Sequence, residues 1–268
     1  MIKYKRIGLF VGHSKLKDGR YTSSQGIKNE YFVNKELATE TKKWLDSIGQ
    51  PNDLIIVPEG KYTSSTYEDN YKLPIANSGK YDLIVEFHAN SYNGKADGSE
   101  VLYHSTAGKT VAKRVQNKLG TMFDDRGLVY RSNLYMLRDT HPTAIMIESF
   151  FIDSAIDCAK YDKIGKKEVA RRIAEGLVDT TIKEQVKESF EIGAFQKNVV
   201  LTSNLNCRRG RGSEYGILKT FSKGTVVNVW YIDKAKDGSL WGSCNSGIKD
   251  SKGKSITGFI HMGYTKVQ

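Results

Sequence analysis

The sequence predicts an α/β fold, a twisted and mostly parallel sheet flanked by helices, followed by a small all-β barrel. Three observations predict it. Short apolar runs alternate with helical patterns through about the first 185 residues. Composition shifts near residues 189–198 (SFEIGAFQKN). Beyond that point come only short strands and turns, spaced by glycines.

The elements follow in order. Ile7–Val11 (IGLFV) reads as a buried strand. A helix is predicted over residues 27–48, where Ile27, Tyr31, Asn34, Ala38, Thr41, Leu45 and Ile48 form one mostly apolar stripe. Gly49 and Pro51 stop it. Leu54–Val57 is a second strand, ended by Pro58. The Tyr-rich run YTSSTYEDNYK at 62–72 reads as loop, either bordering a cleft or merely connecting. Tyr81–Phe87 (YDLIVEF) is a third strand, and Ser99–His104 a fourth after the Asn93-Gly94 turn. Lys109–Phe123 is helical, Ala144–Ile147 (AIMI) is a short buried strand, and a long helix runs from Asp162 to about Lys187. In the tail, Val199–Thr202, Gly224–Tyr231, Leu240–Ser243 and Gly258–His261 read as strands. The expected division is a catalytic domain over 1–187, a linker over 188–198 and a β domain over 199–268.

Size and composition agree with that division. The 268 residues are 39% hydrophobic and 26% charged, enough for an ordinary core and unlike a disordered chain. Cys158, Cys207 and Cys244 supply neither a disulfide framework nor a CxxC metal site. Ile7–Val11 is too short for a signal-peptide core, and no run approaches the roughly 20 apolar residues of a membrane span. The expectation is a chain made in the cytoplasm without an export signal. Net charge is +11 and unevenly placed. Residues 1–189 hold 29 Lys+Arg against 25 Asp+Glu, a net of +4, and residues 190–268 hold 12 against 5, a net of +7. A basic surface attracts polyanions, whether nucleic acid, membrane or acidic wall polymer.

The chemistry is positional. In parallel α/β sheets, ligands gather at the carboxyl ends of strands. His13 follows IGLFVG, His88 follows LIVEF and Glu148 follows AIMI, while Glu30 sits in the first turn of the helix after the first strand. Two histidines and a carboxylate suit a catalytic zinc with an open fourth position for water. A second carboxylate beside that water can carry its proton to a leaving amine. Each residue also has a plainer reading, since a histidine at a strand end is commonly structural and Glu148 fits a paired core carboxylate.

These residues lie in four ordered segments: GHS at 12–14, NEYFVNKELA at 29–38, EFHANS at 86–91 and IMIESFFID at 145–153. Together they resemble the motifs of zinc-dependent N-acetylmuramoyl-L-alanine amidases of type 3, over about residues 5–185. The resemblance implies Zn2+ held by His13, Glu30 and His88, with Glu148 as catalytic acid/base. It also implies hydrolysis of the amide between the lactyl group of N-acetylmuramic acid and L-alanine. Two departures stand out: Val-Gly-His-Ser-Lys where the family has Pro-Gly-His, and Glu86 where a small residue usually precedes the second histidine by two. Glu86 shares a face with His88 and is a rival carboxylate, placed behind the ligands. The tail, with LNCRRGRGSEYGILKTFSKGTVVNVW, GSLWGSC and GFIHMGYT, resembles bacterial SH3-like domains that hold enzymes on cell walls. There Cys207 is expected to pack as a small hydrophobe.

Other residues are read plainly. His104, His141 and His261 are taken as structural, His141 having the option of lining the cleft. Arg208, Arg209 and Arg211 form a basic turn, either solvated or binding anionic polymer. Tyr215, Trp230, Tyr231 and Trp241 are core aromatics or stacking surfaces. The function expected is a peptidoglycan hydrolase of the endolysin kind, whose partners are peptidoglycan and anionic wall polymers rather than nucleic acid or membrane. It would reach the wall through membrane lesions. A zinc carboxypeptidase on stem peptides and a non-catalytic wall-binding protein are the alternatives.

Overall fold

The computed structural model describes residues 1–183 and 190–268. The chain divides into two compact units, Met1–Lys183 and Glu184–Gln268. In the first, β1 (Ile7–Val11), β2 (Asn52–Ile55), β3 (Leu83–Asn90), β4 (Ser99–Tyr103), β5 (Asp125–Tyr130) and β6 (Thr143–Phe151) form one sheet in the order β2-β1-β3-β6-β4-β5. Every neighbouring pair is parallel except β4 and β6. The helices are α1 (Glu30–Ser47), α2 (Thr66–Ala76), α3 (Thr106–Leu119), α4 (Tyr135–Arg138), α5 (Ala155–Ile164) and α6 (Lys166–Val178).

Side chains alternate across the sheet and build two cores. Leu83, Val85 and Phe87 point to one face, under Leu37 of α1, Val115 of α3 and Ile173 of α6. Ile84 points to the other, with Phe10, Met146, Ala76 of α2 and Met136 of α4. Glu86 and His88 share the parity of Ile84, and Glu148 that of Met146, so all three stand on the α2–α4 face. Packing, not surface charge, holds the helices down. Full burial of a side chain such as Leu37 or Leu45 stabilises by about 1.5–3 kcal/mol. The exposed Lys42–Asp46 pair on α1 contributes about 0.3–0.5 kcal/mol.

Several elements differ from expectation. α1 begins at Glu30 because the Asn29 side chain caps it, accepting from the Phe32 amide at 3.3 Å, and Ile27 is left exposed. The run expected as loop at 62–72 carries most of α2, with Pro74 inside it. The predicted long helix is two helices, broken at Gly165, whose φ of +82° suits glycine. The second, α6, ends at Val178, short of the expected end near Lys187, and 184–187 lie outside the described residues. β6 runs on to Phe151, so Glu148 lies within the strand rather than past it. β5 and α4 were not expected.

The second unit is a seven-stranded antiparallel sheet of β7 (Gly193–Leu201), β8 (Leu205–Arg208), β9 (Ile217–Phe221), β10 (Val226–Lys234), β11 (Leu240–Lys249), β12 (Ser255–His261) and β13 (Thr265–Val267). Its order is β13-β7-β10-β11-β12-β8-β9. Val199, Val229, Cys207, Cys244 and Ile260 are among its buried core. The closed barrel is corrected: among the described residues no pairing joins β9 to β13. β13 has only three residues, and β8 meets β12 through the single pair Arg208–Phe259. β7 starts at Gly193, inside the span expected as linker, of which 188–189 lie outside the described residues. No helix among the described residues is long and apolar enough to cross a membrane.

Candidate metal centre

The site forms at the carboxyl end of β1 and β3. His13 leaves β1 with φ of +67°, a left-handed backbone that costs a non-glycine residue on the order of 1–3 kcal/mol. That turn sets its ring beside the His88 ring, with centroids 4.8 Å apart and planes at 80°. Gly12 makes the approach possible: a Cβ there would lie 2.4 Å from His88 Nε2 and 2.6 Å from the Phe87 carbonyl. Asn34 of α1 ties the same loop down by donating to the Gly12 carbonyl at 3.3 Å.

Glu30 comes from the opposite layer. As the first residue of α1 it sits in the favourable field of a helix N-terminus, and its Oε2 accepts from the Ser24 amide at 3.0 Å. Its Oε1 lies 3.0 Å from His13 Nε2 and 3.0 Å from His88 Nδ1. Donor atoms of His13, Glu30 and His88 all fall within 4.8 Å of one another, a group that fits a metal ion. Two imidazoles and one carboxylate around a common point are the donors a zinc takes when it keeps one position open. Glu86 is outside this group. It is 3.7 Å from His88 Nε2 and 2.5 Å from the ammonium of the buried Lys72.

Burial and charge act against each other here. Burial disfavours charge on Glu30, but its bonds to both histidines prevail and hold it well below the usual carboxylate range. Burial likewise opposes ionisation of Glu86, while the Lys72 charge and His88 bring it down to about 2. For His88, burial would lower the pKa, but the bonds to Glu30 and Glu86 raise it to about 10. Glu148 goes the other way. Burial pushes it up to about 8; His88 opposes the rise, and repulsion from Glu30, Glu100 and Glu86 adds to it. It is the registered partner of His88 on β6 and of Glu100 on β4.

The amidase family model spans the strands and helices that build this site, matching residues 7–179 under the description N-acetylmuramoyl-L-alanine amidase. The chain belongs to the N-acetylmuramoyl-L-alanine amidase family. This amidase-family chain is similar in structure to the catalytic domain of the CD27L endolysin targeting Clostridium difficile. That likeness has 43% identity and a TM-score of 0.65, over 66% of this chain and 99% of that domain. It shares the fold of the catalytic domain of the amidase CwlV from Bacillus (Paenibacillus) polymyxa, with 21% identity and a TM-score of 0.56 over 65% and 96%. An uncharacterized cell wall amidase of Bacillus anthracis is 30% identical over 121 residues, which are 40% of this chain and 23% of that protein. An uncharacterized protein of Clostridium perfringens is 26% identical over 219 residues, 76% of this chain and 64% of the other. The chain thus spans less than two thirds of the length of either curated relative.

Outside the centre, the amidase-family chain places the remaining candidates apart. His104 stacks on Tyr130 at 5.5 Å. His141 is exposed, its amide donating to Asn77 at 2.7 Å. The ring of His261 accepts from the Gly263 amide. Arg208 donates to the Tyr215 carbonyl, and Arg211 pairs with Asp233 at 2.6 Å. Cys207 is buried, its sulfur 3.9 Å from that of Cys244. Three polar residues at the site were not foreseen: Thr22, Glu68 and Lys72. The only signal for the last two was their i, i+4 spacing with opposite charge.

Proposed function

We propose that this chain hydrolyses the amide between N-acetylmuramic acid and L-alanine in peptidoglycan, with zinc held by His13, Glu30 and His88 and with Glu148 as the acid/base. The observation that carries this reading is the convergence of three donors on one point, with a carboxylate registered opposite His88. Zinc at that point would supply a Lewis acid that makes water a nucleophile near neutral pH. Glu148, on the strand beside His88, takes a proton from the attacking water. It then gives that proton to the alanine nitrogen as the C–N bond breaks, so the product leaves as a neutral amine. Burial raises the pKa of Glu148, which favours the protonated form it needs when it gives the proton to the leaving nitrogen. Digestion of purified walls with mass analysis of the products tests the reading. New alanine N-termini support it, and released C-terminal amino acids would instead mean a stem-peptide carboxypeptidase.

For the second unit, the proposal is a wall-binding role through anionic polymer. A concavity of about 320 Å³ there is lined by Arg209, Arg211, Lys234 and Lys236 together with Tyr215 and Phe259. Asp233 answers the charge of Arg211 at 2.6 Å, which leaves a net positive lining. This is where much of the tail's excess of +7 gathers.

A further inference from the structure

Helix α2 buries an unusual stripe: Glu68, Lys72 and Ala76, one turn apart. Glu68 is 7% exposed and Lys72 3%. An ammonium taken that far from water needs a partner, and Lys72 has one in Glu86, itself 1% exposed, at 2.5 Å. Such buried pairs seldom add net stability, since apolar replacements of equal volume are often as stable. Their placement is therefore the informative feature. Glu86 is 3.7 Å from His88 Nε2, the nitrogen that faces away from Glu30. Glu68 accepts from Thr22 Oγ1 in a short hydrogen bond and from Ser14 Oγ at 3.0 Å. Thr22 Oγ1 is in turn 3.4 Å from His13 Nδ1, again the nitrogen facing away from Glu30.

The protons can be counted. Thr22 has one hydroxyl proton, and it goes to the Glu68 carboxylate. The hydroxyl oxygen is then left to accept from His13 Nδ1, so a metal at the centre would take Nε2 in place of its proton. The Glu86 carboxylate, 3.7 Å from His88 Nε2, favours a proton on that nitrogen, so a metal at the centre would take Nδ1. With a metal bound the two histidines would hold opposite tautomers, each giving the metal the nitrogen that faces Glu30. We infer that α2 sets the metal centre through two arms, Glu68 by way of Thr22 and Lys72 by way of Glu86, each fixing the tautomer and orientation of one histidine. This rests on reading the site as a zinc centre.

The test uses the full chain and measures zinc affinity by chelator competition, alongside histidine ¹⁵N shifts of the zinc-loaded protein. Thr22→Val removes one arm at constant shape. The double variant Lys72→Met, Glu86→Met removes the other without stranding a buried charge. Each is expected to bind zinc about 10–100-fold more weakly, with the melting temperature of the metal-free protein little changed. Restoring an acceptor in Lys72→Met, Glu86→Gln should recover most of the loss. The wild-type shifts should show His13 bound through Nε2 and His88 through Nδ1. Wild-type affinity in a variant overturns that arm, and each arm stands on its own variant. Absence of one zinc per wild-type chain, or its retention in both His13→Ala and His88→Ala, overturns the metal reading itself.

Discussion

His88 and Glu148 are registered partners on the adjacent parallel strands β3 and β6, with side chains on the same face. Neighbouring strands lie about 4.8 Å apart, so the carboxylate stands next to the metal group without belonging to it. Glu148→Gln should therefore keep a full zinc and lose activity by about 10²–10⁴-fold, the usual contribution of a general acid/base. Metal content and rate on soluble muropeptide check this together, and a fall of less than tenfold removes Glu148 from the role.

Glu30 and Glu86 should separate cleanly in a metal assay. Glu30 shares one oxygen between both histidines at 3.0 Å, whereas Glu86 meets only the far side of His88. Glu30→Ala is expected to lose zinc and activity together. Glu86→Ala should still fill at excess zinc and show its defect only when zinc is limiting. An empty site in Glu86→Ala beside a full one in Glu30→Ala would reverse the assignment.

Zinc affinity should climb as pH rises. In the metal-free protein burial works against the charge on His88, yet Glu30 and Glu86 lift its pKa to about 10. Below that value a proton occupies a nitrogen the metal needs, so the two compete. One displaced proton corresponds to roughly tenfold in apparent affinity per pH unit between pH 6 and 8. Titration calorimetry in buffers of different ionisation enthalpy counts the proton released; affinity flat over that range counts against the competition.

Removing residues 184–268 should leave a folded catalytic unit, since Met1–Lys183 is compact by itself and holds both cores that flank its sheet. Rates on small soluble muropeptides should stay near those of the full chain, while lysis of intact cells slows because local concentration at the wall falls. Loss of the soluble activity too would contradict the two-domain reading.

Binding of the full chain to purified walls should weaken as salt rises from about 0.05 to 0.5 M, because exposed charges are screened beyond a Debye length. Arg209→Ala with Lys236→Ala should weaken binding at low salt and flatten the salt dependence, as measured by sedimentation with walls. Unchanged binding would move recognition away from the basic concavity.

The limits of sequence reading at this site have a physical origin. β1, β3 and α1 announce themselves because their buried positions are apolar at strand or helix spacing, and the candidate ligands were then found by their place at the ends of those elements. α2 escapes the same search. Its buried positions are Glu68, Lys72 and Ala76, so its inward stripe is charged and looks like a solvent face, and Pro74 argues further against a helix. Glu68 and Lys72, which stand behind Thr22 and Glu86, were hidden with it. The barrel expected from glycine spacing failed for a different reason: spacing marks turns, but closure depends on pairing between edge strands that no local pattern records.

Glu30 reaches the histidines from a helix packed on one side of the sheet, while Glu86, His88 and α2 lie on the other. An ion gripped by all three donors would act as a rivet at the end of the sandwich, fastening α1 to the strand that carries His88. No half-built version of the molecule can offer that grip, because the donors are spread from position 13 to position 88 of the chain and meet only at the end of the folded sheet. The grip would then be complete only once both layers have docked on the sheet.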